Sequence, residues 1–126
     1  MPVIPARPSQ LPIAITMGDP AGIGPEIIAK AFRDDPTVTA GCFVVGDMAT
    51  LRRASAVVSG PGRPLIPVSR IDAPQDVFAT PPRCIPVLQM PRRLGPVAVG
   101  RVSAEAGQAA ADCVVWAAQA ALRKEI

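Results

Sequence analysis

The sequence predicts an α/β fold built on a mostly parallel sheet, and three observations carry that prediction. An apolar run from Ile13 to Met17 passes through a glycine-containing loop, Gly18 to Gly24, into a helix start at Pro25-Glu26. A second unit repeats the order: Gly41 to Val45 is apolar and leads through Gly46-Asp47 into a helical pattern. Both strand segments are short, nearly unbroken apolar runs, as expected of strands covered on both faces. Strand, helix, strand, helix in succession is the signature of parallel pairing through helical crossovers.

Taken in order, Pro2, Pro5, Pro8 and Pro12 rule out regular structure over residues 1–12, which read as an extended leader. After the first strand, a helix is expected from Pro25 to Arg33, with Ile27, Ile28, Ala31 and Phe32 on its inner face. Pro25 suits the first helical turn because its missing N–H would have no partner there, and Glu26 complements the positive end of the helix dipole. Asp34-Asp35-Pro36 ends that helix, since a proline disfavours the α conformation in the residue before it. Asp47 is the expected N-cap of a second helix running to Val58, with Met48, Leu51, Ala54 and Val58 inward.

From Gly60 to Gly100 the texture changes, because Pro61, Pro64, Pro67, Pro74, Pro81, Pro82, Pro86, Pro91 and Pro96 exclude long helices. Short strands are expected at Leu65 to Val68, Cys84 to Leu88 and Val97 to Val99, as edge strands among connecting loops. Ser103 should cap a last, alanine-rich helix with Glu105 in its first turn. Ala106, Ala110, Cys113, Val114, Ala117 and Ala121 form its expected buried stripe, opposite Glu105, Gln108, Asp112, Gln119 and Arg123.

Composition narrows the function classes. The 126 residues carry a net charge of +3 with only one tryptophan, three phenylalanines and no tyrosine. The basic residues are scattered apart from Arg52-Arg53 and Arg92-Arg93, read as solvated surface arginines. Nucleic-acid binding would need a basic stripe with aromatic platforms, so no nucleic-acid partner is expected. Cys42, Cys84 and Cys113 are odd in number and widely spaced, which argues for reduced thiols and a cytoplasmic setting. No run approaches the ~18 apolar residues that span a bilayer, so no membrane partner is expected.

The glycine loop is the candidate site. Neither familiar phosphate-loop pattern fits: Pro20 stands where a dinucleotide fingerprint needs its second glycine, and Pro25-Glu26 stands where a P-loop needs lysine and a hydroxyl. Spacing alone leaves two readings open, a ligand-lining loop or a tight structural turn.

The segment Thr16-Met17-Gly18-Asp19-Pro20-Ala21-Gly22-Ile23-Gly24-Pro25-Glu26 resembles the amino-terminal signature of the 4-hydroxythreonine-4-phosphate dehydrogenase (PdxA) family, which includes relatives acting on phosphorylated threonate and erythronate. Gly100-Arg101-Val102-Ser103-Ala104-Glu105-Ala106-Gly107 resembles the same family's G-x-V-S-x-x-x-G segment, and Gly46-Asp47 sits where the family has its second strand and turn. The resemblance runs from about Leu11 to about Leu122. It implies a partial three-layer αβα lobe of the isocitrate and isopropylmalate dehydrogenase type, with residues 13–126 an incomplete lobe of a two-lobed enzyme. It also implies NAD-dependent oxidation of the secondary alcohol of a small phosphorylated hydroxy acid, followed by loss of CO₂, with a divalent metal polarising the oxygen.

The family's metal ligands are histidines, and this sequence has none. The family's threonine-proline-lysine substrate segment is expected beyond Ile126. No catalytic and no metal-binding residue is therefore carried over, and Asp19, Asp47 and Asp72 have no spacing that marks them as ligands. Gly18, Asp19, Gly22 and Gly24 are the cofactor-binding candidates, as backbone lining the nicotinamide or substrate side of the cleft. The expectation is an amino-terminal portion of a dehydrogenase that is inactive alone, holding neither NAD nor metal by itself. Its apolar edges should be covered by a second copy or by a missing lobe. A non-catalytic α/β binding or interaction module that retains the scaffold is the alternative.

Overall fold

Four parallel strands form the sheet that the rest of the chain packs against, in the order β1-β2-β4-β3. The structure, a computed structural model, describes residues 10–126. Most of the expected leader, residues 1–9, lies outside them, while Pro12 is buried against the start of β1. In chain order the elements are β1 (Ile13–Thr16), α1 (Gly24–Asp34), β2 (Cys42–Gly46), α2 (Met48–Val58), β3 (Val68–Ile71), β4 (Ile85–Gln89) and α3 (Ala104–Leu122). A short 3₁₀ helix, Pro74–Ala79, connects β3 to β4. The expected α/β class with a mostly parallel sheet is what the chain adopts.

Two apolar cores close the sheet. On one face α1 and α2 bring Ile28, Ala29, Phe32, Leu51 and Ala54 onto Cys42, Val44, Ile85 and Val87. On the other, Val77 of the 3₁₀ helix and Cys113 of α3 meet Phe43, Val45, Ile71 and Leu88. Trp116 completes that second core edge-on to Phe43, with ring centroids 6.2 Å apart at 89°, a favourable aromatic geometry. Consecutive residues of β2 thus serve opposite cores, and the whole strand is buried, as its unbroken apolar sequence requires.

Several expectations are corrected. In α1 the inward face is Pro25, Ile28, Ala29 and Phe32, whereas Ile27 is exposed. The strand expected at Leu65 to Val68 begins only at Val68. Pro67 has no N–H to give a ladder, though its carbonyl accepts from Ile85 N–H at 2.9 Å. Ile66 instead turns into the first core, where its carbonyl accepts from Ser55 Oγ at 2.7 Å.

The segment Val97 to Val99 forms no strand, because it lies across the start of α2 rather than beside the sheet. The fourth strand is interior, not an edge, despite Pro86. Ile85 N–H points to β3 and Met90 N–H to Gly46 O of β2, so alternation puts the missing donor of Pro86 on the β2 side. It falls one step before the β2–β4 ladder opens at Val44 and Val87, where no bond is lost.

Along α3 the buried seam is Ala106, Ala109, Cys113 and Ala120, while Val114 and Ala121 of the expected stripe are exposed. The buried seam lies one position on from Glu105, Gln108, Asp112 and Gln119, so the sheet covers the flank of the polar stripe and not the face opposite it. The caps held: Asp47 accepts from Thr50 N–H, and Ser103 accepts from Ala106 N–H.

Two glycines outside the candidate loop behave oppositely. A Cβ on Gly46 would stand 2.7 Å from Met17 Cβ, whereas one on Gly107 would meet nothing within 4 Å. Gly46→Ala should therefore lower stability by about 1–3 kcal/mol through overpacking. Gly107→Ala should raise it by about 0.5–1 kcal/mol by removing a helix-interior glycine. Urea denaturation of the two variants checks the opposite signs.

Candidate functional site

The carboxyl ends of β1, β2 and β4 open onto three segments: the Gly18 to Gly24 loop, the Gly46-Asp47 turn and the chain after Gln89. In open parallel sheets this end of the strands is where ligands are held. Met17, 1% exposed, packs against the first two of these segments. Its Sδ accepts from Asp47 N–H at 3.4 Å, and its N–H donates to Val45 O at 3.0 Å.

The glycine loop joins β1 to α1, and the structure brings Gly18, Asp19, Gly22 and Gly24 together within it. Gly18 has φ +76°, a left-handed conformation that side-chain-bearing residues rarely adopt, with open space where a Cβ would stand. Gly24 is demanded by packing, since a Cβ there would lie 2.6 Å from Met17 O. Asp19 Oδ1 accepts from Ala21 N–H at 2.8 Å while Asp19 O accepts from Gly22 N–H at 3.0 Å, a turn closed on itself. Two distant groups then tie the loop down. Arg53 Nη2 donates to Pro20 O at 3.0 Å, and Gly100 N–H donates to Ala21 O at 2.7 Å.

Asp47 and Gln89 form a second tie across the strand ends. Asp47 Oδ2 accepts from Thr50 N–H and Thr50 Oγ1 at 2.9 and 2.8 Å, and Oδ1 accepts from Gln89 Nε2 at 2.8 Å. Gln89 Oε1 accepts from Met48 N–H at 2.8 Å, and its Nε2 also donates to Pro91 O at 2.9 Å. The buried carboxylate is thereby supplied with donors and its helix with a cap.

Between α2 and the 94–99 segment lies a cleft of about 340 Å³, lined by Asp47, Thr50, Arg53, Leu94, Pro96 and Val99 among others. Arg53 makes no ion pair among the described residues, so it leaves a positive charge at this cleft. Reading Arg53 as a solvated surface residue is corrected: Arg52 is exposed, but Arg53 is half-buried and holds the loop. Gln89 was also not foreseen, although a lone amide ending an apolar strand was its visible signal.

Neither the metal nor a dinucleotide phosphate is matched by the donors present. The sequence has no histidine, and among the described residues no three of His, Cys, Asp and Glu converge. The carboxylates of Asp19 and Asp47 are engaged by N–H groups, and Asp72, just past the carboxyl end of β3 at the other edge of the sheet from β1, pairs with Arg70 at 3.5 Å. At the start of α1, Pro25 withholds a donor and Glu26 adds a carboxylate, a poor cradle for a pyrophosphate. The arrangement can line and shape a cleft, but holds no general acid–base pair. No helix among the described residues is long and apolar enough to cross a membrane.

No protein-family model matches the chain. Curated relatives do. The chain is 41% identical over 115 residues to the D-threonate 4-phosphate dehydrogenase of Salmonella typhimurium, covering 90% of this chain and 34% of that protein. It is 41% identical over 96 residues to the 4-hydroxythreonine-4-phosphate dehydrogenase of Caulobacter vibrioides, covering 73% of this chain and 25% of the relative. Among solved structures, the 4-hydroxythreonine-4-phosphate dehydrogenase of Klebsiella pneumoniae superposes with a TM-score of 0.78 at 37% identity, over 93% of this chain and 35% of that one. The enzyme of the same name from Burkholderia phymatum gives 0.72 at 30% identity, over 94% and 35%. The chain spans about a third of the length of the curated relatives it matches.

Asp47→Ala should cost about 2 kcal/mol, since it removes a helix cap and strands the Gln89 amide. Thermal denaturation followed by circular dichroism measures the loss. Beneath the site, Cys113 donates its thiol to Met90 O at 3.4 Å. Burial, with help from the Asp112 charge, pushes that thiol from 9.0 up to about 11. Its proton is held more tightly folded than unfolded, so this contribution is complete below pH 9 and lost as pH rises towards about 11. A denaturation midpoint that falls across that window, and falls less in Cys113→Ala, is the expected result.

Proposed function

We propose that this chain, a homologue of the 4-hydroxythreonine-4-phosphate dehydrogenases that matches about a third of their length, consistent with an amino-terminal portion, supplies part of one lobe of such an oxidoreductase. The proposed reaction is NAD-dependent oxidation, with decarboxylation, of a 4-phosphorylated hydroxy acid such as D-threonate 4-phosphate or 4-phosphohydroxy-L-threonine. The observation that carries the reading is the glycine loop at the carboxyl end of β1, in a chain about 40% identical to dehydrogenases of these substrates.

In this reading the backbone of Gly18, Asp19, Gly22 and Gly24 lines the nicotinamide or substrate side of the cleft between the two lobes of the whole enzyme, and not the cleft beside α2, whose lining includes none of them. The tie from Arg53 to Pro20 O keeps that wall in one position. A divalent metal, when bound, supplies Lewis-acid polarisation of the substrate oxygen. Its ligands come from outside these residues. The 126-residue chain by itself is inactive, its setting is the cytoplasm, and its apolar surfaces are covered by the rest of the enzyme or by a second copy.

A non-catalytic binding module is favoured by one observation, the two apolar cores that already close the sheet on both faces. One experiment separates the readings. The chain replaces the matched third of the Salmonella typhimurium enzyme, and NADH formation from D-threonate 4-phosphate is measured with a divalent metal present. A rate within about tenfold of the parent is expected, less than 1.4 kcal/mol in barrier. A folded chimera without turnover, or turnover by the 126 residues alone, would refute the proposal.

A further inference from the structure

We infer that the cleft between α2 and the 94–99 segment binds a small organic monoanion, a carboxylate on a compact apolar body, and that the Gly18 to Gly24 loop registers its occupancy. None of the residues assigned above to the reacting side lines this cleft, so the site stands independently of the proposed function.

Charge selects an anion. The sequence has two arginine pairs, Arg52-Arg53 and Arg92-Arg93, and both flank this cleft. Arg53 lines it from α2, while Arg92 and Arg93 lead directly into the opposite wall at Leu94. Among the described residues none of the four makes an ion pair. The Arg53 guanidinium gives one N–H, through Nη2, to Pro20 O at 3.0 Å, and no other described residue accepts from it. Its remaining N–H groups form a planar fork that matches a carboxylate. One carboxylate shares the lining, that of Asp47, which is 8% exposed and already bonded by Thr50 and Gln89. Its charge opposes a second negative charge on the ligand, so a monoanion is favoured over a phosphate dianion.

The walls select the rest of the ligand. Ala49, Leu94, Pro96, Val97 and Val99 make the lining mostly apolar around its few polar groups. About 340 Å³ of space bounded in this way has the size and character of a small-molecule pocket. A compact hydrocarbon body removes those walls from water, which a bare phosphate would not do.

Both walls are also tied to the glycine loop, at adjacent carbonyls. Arg53 of α2 holds Pro20 O, and Gly100, next after Val99, holds Ala21 O at 2.7 Å. A ligand that bridges Arg53 and the 94–99 segment therefore fixes the loop from two sides.

Nuclear magnetic resonance titration of the 126-residue chain at pH 7 tests this with benzoate, benzyl alcohol and inorganic phosphate. Benzoate should saturably shift the Arg53 Nε–H and the methyl groups of Val97 and Val99, with a Kd of about 1 mM or tighter and about tenfold below that of either other probe. Exchange of the Gly100 amide should slow several-fold in its presence. Equal affinity for benzyl alcohol or for phosphate overturns the class of ligand. Shifts confined to the cavity at Phe32 and Leu65, or no saturable shift, overturn the site. Saturable binding that leaves the Gly100 amide unchanged refutes the link to the loop. Arg53→Gln should reduce benzoate to the affinity of benzyl alcohol. Because that variant also loses the Pro20 bond, Val97→Asp gives a second check, in a wall that belongs to no helix or strand. It leaves both loop ties in place and should weaken benzoate about tenfold; unchanged affinity overturns the inference.

Discussion

Three stretches of backbone meet at Met17, and the rest of the structure depends on how closely they do so. Its carbonyl lies where a side chain on Gly24 would have to go, and its own side chain occupies the space a residue larger than Gly46 would need. Its sulfur meanwhile receives the Asp47 N–H. Helix α1 can start directly above β1, and α2 directly above β2, only because two glycines permit this approach. Interiors are packed as tightly as molecular crystals, so a single methyl group at either position displaces backbone rather than filling a void.

That constraint explains why the functional end of the sheet is so firmly tied. The loop after β1 is held by Arg53 and by Gly100, from opposite sides of the cleft. The turn after β2 is held to the end of β4 by the Asp47–Gln89 bond. Each tie satisfies polar groups that the sharp turns would otherwise leave without partners, and among the described residues no buried side-chain polar atom lacks one. A wall built this way can present backbone to a ligand in a fixed position, which is what a cleft that must align two reactants requires. It carries no titratable pair of its own. Within the proposed enzyme, the division of labour is therefore between a rigid scaffold here and the reacting groups elsewhere.

The opposite treatment of the two sheet edges points the same way. At one edge β3, as short as β1 and like it preceded by a proline, carries Arg70 paired with Asp72, a charge that discourages pairing. At the other, β1 is apolar and carries no charged side chain. The outer face of α3, with Val114, Val115 and Leu122 exposed, is likewise more apolar than a solvent-facing helix needs to be. Both features lie on the β1 side of the molecule and both fit a larger whole.

Much of this was legible in the residues, and the division follows the reach of each interaction. The two βα units, the caps at Asp47 and Ser103 and the loop from Gly18 to Gly24 were readable because each depends on residues a few positions apart. Strand boundaries in the proline-rich stretch slipped, since a proline bars a hydrogen bond on one side of a strand and only the neighbour reveals which side matters. The inward side of α3 differs from the expected stripe because small apolar residues flank its polar stripe on both sides, and only the sheet selects which flank is covered.

The amino-acid sequence by itself determined the first two strand–helix units, the capping of α2 and α3 and the kinship with phosphorylated hydroxy-acid dehydrogenases, all properties carried by local pattern. Tertiary structure alone decided that β4 lies inside the sheet, that Gly46 has no room for a methyl group, that Arg53 grips Pro20 and that Gln89 clasps Asp47. The last three are contacts between groups 29 or more positions apart, and no local spacing encodes where such partners will meet.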